Sequence, residues 1–315
     1  MLHNTSKTRD GLNTGHTHSH SKGFDMKIGV IGLGNMGSGM AATLAKKEFT
    51  VFGYDLSAQA LQAISEHGVT PISQLSDLIP QCDVVILSLP KAEHVQKVCL
   101  DEQGLLAHAH SGLIVIDTTT SEAQTSRDVA AQLAIKGVEF IDAPVSGGPA
   151  GAASGTMSMV IGGSETTYTK VLPVLQAMST TQVHIGDVGA GNIAKIANNL
   201  LCAAHLITTS EVVNLAAKAG VSPEKVLAGI NAGSGRSGVS QVNFPKWILN
   251  QSYDSGFTMG LMRKDVGLAQ KLAEQYNLSL NLTGKAIEMW QASDSELTDS
   301  QDFNEIAKFI DNDLY

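Results

Sequence analysis

The sequence predicts an α/β fold: a doubly wound, mainly parallel sheet over residues 26–187, followed by an all-α domain over residues 188–315. In the first part, short β-branched runs alternate with helical patterns, as they do in parallel sheets that carry helices on both faces. After residue 187 only helical patterns follow. A length of 315 residues also favours two domains over one.

Residues 1–25 precede the first strand and differ from the rest of the chain. The segment is polar and has no apolar stretch of the kind found in secretory signals. It contains the short run HTHSH (16–20), but nothing nearby could fix the coordination geometry of a metal. We therefore expect a disordered tail over residues 1–25, and we assign no metal site to the chain.

Composition argues against several classes of protein. The formal net charge is −9 and charged residues make up 16% of the chain, so no basic stripe is present to neutralise the phosphates of a nucleic acid. No apolar run approaches the roughly 18 residues of a membrane helix, so we expect no membrane segment. The 3 cysteines are widely spaced, which argues against disulfides and zinc and favours a reducing, cytoplasmic location.

The first domain begins at Met26 with MKIGVIG, whose composition is typical of a buried parallel strand. Its other predicted elements are a helix over 34–49, a strand over 50–56, a helix over 57–68, strands over 82–90 and 112–120, a helix over 121–137, and strands over 138–148 and 156–163.

The second domain contains helical patterns only. Predicted helices cover 190–219, 223–230, 241–250, 258–276, 281–294 and 302–312. The loop 231–241 between two of them is rich in Gly and Ser. Such a loop is either a connector or a mobile cover for a substrate.

A glycine motif, GLGNMG, follows the first strand and opens the first helix, the context in which GxGxxG binds a dinucleotide. Gly32 permits the tight turn, Gly34 admits a pyrophosphate close to the backbone, and Gly37 lets the helix pack on the strand. Asn35 and Met36 would offer N–H groups at the positive end of the helix dipole.

Asp55 lies at the end of the second strand, about twenty residues beyond the motif, where an acid holds the adenosine ribose hydroxyls. Leu56 and Ser57 follow it, and neither could neutralise a 2′-phosphate. These residues predict NAD as the cofactor in preference to NADP.

Four segments occur in a characteristic order: GLGNMGSGMA, DAPVSGGPAGAASGTM, GAGNIAKIANN and RKDVGLA. Together they resemble the β-hydroxyacid dehydrogenases, the group that includes 3-hydroxyisobutyrate dehydrogenase and tartronate semialdehyde reductase. The resemblance covers about residues 27–311. It implies a Rossmann-type domain, a long helix between the domains, and a helical C-terminal domain that forms homodimers or homotetramers.

The resemblance also implies site residues. Lys195 matches the family's catalytic lysine, and the segments that match its substrate contacts contribute Ser146, Gly147, Gly148, Asn198 and Asn199. A substrate carboxylate is favoured over a sulfonate, because the segment matching VSGG carries no arginine.

On the cofactor side, Leu89 and Thr120 match cofactor contacts, although the run DTTTSEA leaves the choice between Thr119 and Thr120 open. Lys264 matches a lysine near the nicotinamide, and Asp265 would support it.

The chemistry explains these residue types. Oxidation of an alcohol with NAD needs a base at the hydroxyl, and a lysine becomes a usable base when burial lowers its pKa. Lys195 and Asn199, four residues apart on a helix, share one face and could both contact one small hydroxy acid. The expected activity is therefore the interconversion of a β-hydroxy acid and its semialdehyde or keto form.

Two alternatives remain at the level of sequence. One is a non-catalytic nucleotide-binding scaffold, and the other is an imine reductase-like enzyme. Relatives of both kinds usually lack the lysine, so the presence of Lys195 argues against each of them.

Overall fold

A nine-stranded sheet forms the first half of the computed structural model, which describes residues 26–313; the tail predicted over residues 1–25 lies outside that range. Its strands are β1 Lys27–Ile31, β2 Thr50–Tyr54, β3 Thr70–Pro71, β4 Val84–Leu87, β5 Ile114–Asp117, β6 Glu139–Asp142, β7 Val145–Ser146, β8 Met157–Gly162 and β9 Ser179–Gly186. They run in the order β3-β2-β1-β4-β5-β6-β8-β7, with β9 also paired to β8.

Strands β1 to β6 pair in parallel, and β8 is antiparallel to β6 and β7. Because successive side chains of a strand point to opposite faces, the sheet has an apolar core on each side. Val30 contributes to one core and Ile31 to the other. The predicted α/β class with a parallel, doubly wound sheet is confirmed.

Helices cover both faces of this sheet. The helices of this half are α1 Asn35–Lys46, α2 Ala58–Ser65, α3 Leu75–Leu78, α4 Ala92–Leu100, α5 Leu105–His108, α6 Ala123–Ala134, α7 Gly148–Ser154 and α8 Glu165–Met178. Helices α1 and α8 pack on one face, and α4, α5 and α6 pack on the other.

The second half is helical and has its own core around Trp290, whose indole N–H donates to the carbonyl of Ala203 at 3.1 Å. Its helices are α9 Ala190–Lys218, α10 Pro223–Ala232, α11 Met259–Gln275, α12 Asn281–Ala292 and α13 Ile306–Ile310, with a π-helical segment at Val239–Ile248.

Helix α9 corrects one expectation drawn from the sequence. It has 29 residues, and its most apolar window reaches a mean hydropathy of 1.4, which is enough by length and composition to cross a membrane. The expectation that no apolar run approaches this length was wrong, although a central helix of a helical core meets the same two criteria. In this fold α9 is the central helix of the second half: it contacts α10, α11, α12 and α13, and its first turns contact β8 and β9.

Two predicted elements differ in detail. The strand predicted over 138–148 is divided, because β6 pairs in parallel with β5 whereas β7 turns to pair antiparallel with β8. The helix predicted over 241–250 is π-helical over Val239–Ile248 and contains Pro245, which cannot donate the backbone hydrogen bond of a regular helix. Several elements of the first half were not predicted: β3, α3, α4, α5, α7, α8 and β9.

Candidate active site

The glycine turn lies between β1 and α1 at the carboxyl end of the sheet. Gly32 has φ +91°, and a side chain there would meet the carbonyl of Ser88 at 2.2 Å, so this position requires glycine. A Cβ on Gly37 would meet the carbonyl of Gly32 at 1.8 Å, so the helix packs directly on the turn.

The start of α1 leaves room for an anionic group. Gly34 is exposed, and a Cβ built on it would meet no described atom within 4 Å. Among residues 26–313 no side chain caps the helix, so the N–H groups of Asn35 and Met36 at its first turn are not satisfied by a cap. Open space in front of uncapped N–H groups is what a pyrophosphate requires, and these residues fit a dinucleotide.

Asp55 stands at the end of β2 and faces this turn. Its carboxylate accepts hydrogen bonds from the backbone N–H of Leu33 at 2.7 Å and of Ser57 at 2.8 Å. A carboxylate has about four acceptor positions, so two remain for ribose hydroxyls. Leu56 beside it is 93% exposed.

The loop between β5 and α6 brings the other predicted cofactor residues together. The backbone N–H of Leu89 donates to the Thr119 hydroxyl at 3.1 Å, and Lys264 Nζ donates to the Thr120 carbonyl at 3.2 Å. Thr119 is thus hydrogen-bonded to Leu89, and Thr120 is hydrogen-bonded to Lys264. Both threonines belong to one cluster at the carboxyl ends of β4 and β5.

The VSGG segment forms a sharp turn between β7 and α7. Gly147 has φ +125° and Gly148 has φ +62°, which residues with a Cβ rarely adopt. Ser146 ends β7 just before this turn. Its side chain therefore lies beside two residues that have no side chain of their own.

Helix α9 brings Lys195 to that turn. Lys195 is only 7% exposed, and its Nζ donates a hydrogen bond to the Ser146 hydroxyl at 2.8 Å. The two residues are 49 positions apart in sequence. The Lys195 amine and the Ser146 hydroxyl thus meet beside the Gly147–Gly148 turn.

One turn along α9, the amide of Asn199 is buried and donates to Asp265 Oδ2 at 2.6 Å. Asp265 Oδ1 lies 3.2 Å from Lys264 Nζ. Asn198 is exposed and donates to Asn199 Oδ1 at 3.1 Å. These contacts link Asn199 to Lys264 and the Thr120 carbonyl, with Asp265 between them.

The pKa of Lys195 is lowered, chiefly because burial disfavours the charged ammonium. The negative charge of Asp265 opposes this shift, and the positive charge of Lys264 adds to it. The lowered pKa makes Lys195 a better proton acceptor near neutrality than an exposed lysine.

Two buried residues near this group were not predicted as site residues. Asp142, at the end of β6, accepts hydrogen bonds from the backbone N–H of Gly189 and of Asn192 at the start of α9. The side chain of Asn192 contacts the loop that carries Thr120. Their roles depend on partners far away in sequence, which no local motif indicates.

Two family models match almost the whole described chain. The NAD binding domain of 6-phosphogluconate dehydrogenase matches residues 27–186, and the NAD-binding domain of NADP-dependent 3-hydroxyisobutyrate dehydrogenase matches residues 189–310. The chain is 32% identical to 2-(hydroxymethyl)glutarate dehydrogenase of Eubacterium barkeri, over 90% of this chain and 94% of that one.

This chain belongs to the β-hydroxyacid dehydrogenase family.

Two further relatives agree with membership of the β-hydroxyacid dehydrogenases. The NAD-dependent L-serine dehydrogenase of Pseudomonas aeruginosa is 34% identical, over 90% of this chain and 98% of that one. The structure of the 3-hydroxyisobutyrate dehydrogenase of Mycobacterium tuberculosis with L-serine has a TM-score of 0.85 and 31% identity, over 91% of this chain and 99% of that one. The protein is accordingly an oxidoreductase that uses a nicotinamide dinucleotide, as the glycine turn and Asp55 indicate.

Proposed function

We propose that the protein is an NAD-dependent dehydrogenase of a small β-hydroxy acid, with Lys195 as the general acid and base. The observation that carries the proposal is the contact of 2.8 Å between Lys195 Nζ and Ser146 Oγ, made by a buried lysine beside the Gly147–Gly148 turn. A small molecule held at this turn by its carboxylate would place its hydroxyl near the lysine.

In the oxidative direction, the neutral amine of Lys195 accepts the proton of the substrate hydroxyl while the carbinol C–H bond breaks. The nicotinamide ring, when bound, supplies the acceptor for the hydride. The product is a carbonyl compound, and Lys195 is left as an ammonium. In the reverse direction the same ammonium donates its proton to the carbonyl oxygen.

The substrate carboxylate is proposed to bind the backbone of Gly147 and Gly148 together with the Ser146 hydroxyl. Asn199 has one amide hydrogen bonded to Asp265 and a second one available for the substrate. Asn198, which is exposed, supports Asn199 and is free to meet the substrate at the mouth of the site.

We infer a preference for NAD over NADP from the end of β2. A 2′-phosphate at this position would approach the carboxylate of Asp55, and the neighbouring side chain is the exposed, uncharged Leu56. Like charges at hydrogen-bonding distance are unfavourable, whereas ribose hydroxyls can donate to Asp55.

We further propose that the chain forms a homodimer or homotetramer through its helical half. Apolar side chains on α9 are exposed in the single chain, among them Leu201 at 54%, Val212 at 46% and Leu215 at 71%. A second copy would cover this surface. Leu215→Glu should lower the mass measured by light scattering, and Ile135→Glu, at another exposed apolar residue on the sheet half, should leave it unchanged.

The activity is tested by NADH formation with a panel of acids: 3-hydroxyisobutyrate, glycerate, 3-hydroxypropionate, serine, threonate and 2-(hydroxymethyl)glutarate. The proposal expects turnover with at least one. Lys195→Ala should then lower kcat by about 10²- to 10⁴-fold, the usual contribution of a general base. NADH affinity should stay within about threefold.

Lys285→Ala, which removes an exposed lysine of α12, serves as the matched control and should retain full activity. A Lys195→Ala enzyme with wild-type kcat would remove the lysine from the mechanism. A ratio of kcat/KM values that favours NADP would contradict the argument from Asp55.

A further inference from the structure

The start of α9 is held by a buried carboxylate. Asp142 is fully buried and accepts from the N–H of Gly189 at 2.6 Å and from the N–H of Asn192 at 2.7 Å. A negative charge at a helix N-terminus satisfies N–H groups that lack helical partners and interacts favourably with the helix dipole. The carboxylate thus fixes the first turn of α9 to the end of β6.

The first turn of α9 is also packed closely against the strands at this junction. A Cβ on Gly191 would lie 2.6 Å from the Asp142 carbonyl and 2.7 Å from the Val160 carbonyl. A Cβ on Gly162 would lie 2.7 Å from the backbone nitrogen of Gly191. The helix therefore sits against β6 and β8 at backbone contact distance.

Asn192 connects the same turn to the cofactor side. Its side chain is fully buried, its Oδ1 accepts from the N–H of Ser121 at 2.9 Å, and its Nδ2 donates to the Ser126 hydroxyl at 3.1 Å. Ser121 follows Thr120, whose carbonyl receives the hydrogen bond from Lys264. One amide thus joins the helix that carries Lys195 to the loop that lies at the cofactor.

Lys195 follows Asn192 by three residues, which is nearly one turn of the helix. Any shift of the first turn relative to the loop changes the distance between Lys195 and the cofactor-binding residues. For a reaction that transfers a hydride and a proton together, a misplacement of about 1 Å can lower the rate by about 10²-fold.

We propose that Asp142 and Asn192 are positioning residues, which hold Lys195 at a fixed separation from the Thr120 loop. This inference rests on the proposed function, because it assigns the lysine a part in the reaction. Neither residue is taken to touch the substrate. Asp142 sets the position of the helix, and the side chain of Asn192 sets the position of the loop relative to it.

Asn192→Ala removes the link and leaves the backbone contact with Asp142 in place. The expected result is a kcat lowered about 10- to 100-fold, with KM for the acid and Kd for NADH changed less than about threefold. The acid is one that the wild-type enzyme oxidises, deuterated at its carbinol carbon. Its primary isotope effect on kcat should increase, because hydride transfer becomes slower while product release does not.

Asn243→Ala is the matched control. It removes another buried amide, which donates to Asn304 Oδ1 at 2.7 Å in the helical core. This variant should keep the isotope effect of the wild type. Ser126→Ala removes the hydroxyl that accepts from the Asn192 amide. Its effect on kcat should not add to that of Asn192→Ala in the double variant, because both changes break the same interaction.

Hydrogen exchange of the cofactor-free protein gives a readout independent of activity. Asn192→Ala should accelerate exchange over residues 118–122, and Asn243→Ala should not. The proposal is overturned if kcat of Asn192→Ala stays within twofold of the wild type, or if exchange over 118–122 is unchanged. A fall in kcat with an unaltered isotope effect and faster exchange throughout residues 26–187 would mean that Asn192 only stabilises the fold.

Failure of the proposed function has a different signature, since the wild-type enzyme would then form no NADH with any acid of the panel. Exchange over residues 118–122 would still decide whether Asn192 holds the loop, and unchanged exchange would overturn the link as well.

Discussion

The carboxyl group of Asp117 offers a quantitative test of the structure. Asp117 ends β5, is fully buried, and lies directly opposite Asp142 in the sheet. Burial raises its pKa to about 7, the hydrogen bond from Thr119 opposes the shift, and the neighbouring charge of Asp142 adds to it. Ionisation of this group therefore destabilises the folded protein.

The magnitude follows from linkage. In the unfolded chain the pKa of Asp117 is near 3.8, so the folded value of about 7 means that the folded state binds the proton more tightly. The stability from this group is complete below the unfolded pKa and is lost as the pH rises through the folded pKa. At about 1.4 kcal/mol per unit of pKa, the loss between pH 5 and pH 8 is on the order of 2–3 kcal/mol.

Asp117→Asn removes the titration while Oδ1 can still accept from the Thr119 N–H. Measured by urea unfolding without cofactor, the stability of the wild type relative to this variant should fall by about 2–3 kcal/mol from pH 5 to pH 8. Asp142 lies beside Asp117, so its titration also changes in the variant, and the difference between the two proteins reports the two carboxyl groups together.

The exposed Asp294 provides the control, since Asp294→Asn should not change the pH dependence of stability. A difference between wild type and Asp117→Asn that stays constant within about 0.5 kcal/mol over this range would refute the argument.

Three further predictions concern the site and its frame. Ser146→Ala removes the hydroxyl that accepts from Lys195 at 2.8 Å. It should lower kcat/KM about 10- to 100-fold in the NADH assay, because hydrogen bonds to charged groups contribute about 1.5–3 kcal/mol. A loss of kcat/KM below twofold would contradict this role. Gly191→Ala places a Cβ 2.6 Å from a backbone oxygen and should lower the free energy of unfolding by about 1–3 kcal/mol or more. The control is Gly229→Ala, in open space within α10, which should leave the free energy of unfolding unchanged or raise it. Equal unfolding midpoints of the two variants would show that the close contact is tolerated. Leu56→Arg supplies a cation at the exposed end of β2. The ratio of kcat/KM with NAD to kcat/KM with NADP should fall by at least about tenfold, because the cation can pair with a 2′-phosphate. An unchanged ratio would mean that the 2′-phosphate lies elsewhere.

The sequence predicted those parts of the site whose conformation depends on neighbouring residues alone. The turn at Gly32 and the start of α1 depend on neighbouring residues, so the motif predicts both. Lys195 and Asn199 lie on one face of the helix because they are four residues apart, and α9 is helical over all of its 29 residues.

The remaining parts depend on register and tertiary contact. Asp142 and Asn192 meet across 50 positions, and Asn192 and Ser121 across 71. Nothing local distinguishes Asp142 from any other acid at the end of a strand. Likewise, the apolar character of α9 is visible in sequence, but only the fold shows which of its residues lie in the helical core and which remain exposed.

The anchored first turn of α9 has a mechanical consequence for the whole molecule. At about 1.5 Å per residue, Lys195 lies about 4.5 Å along the axis from Asn192, whereas Leu215 lies about 35 Å from it. If the helix tilts about its fixed end, the far end moves roughly eight times as far as the lysine. Lys195 thus lies close to the fixed end, so any tilt of α9 displaces the lysine far less than it displaces Leu215.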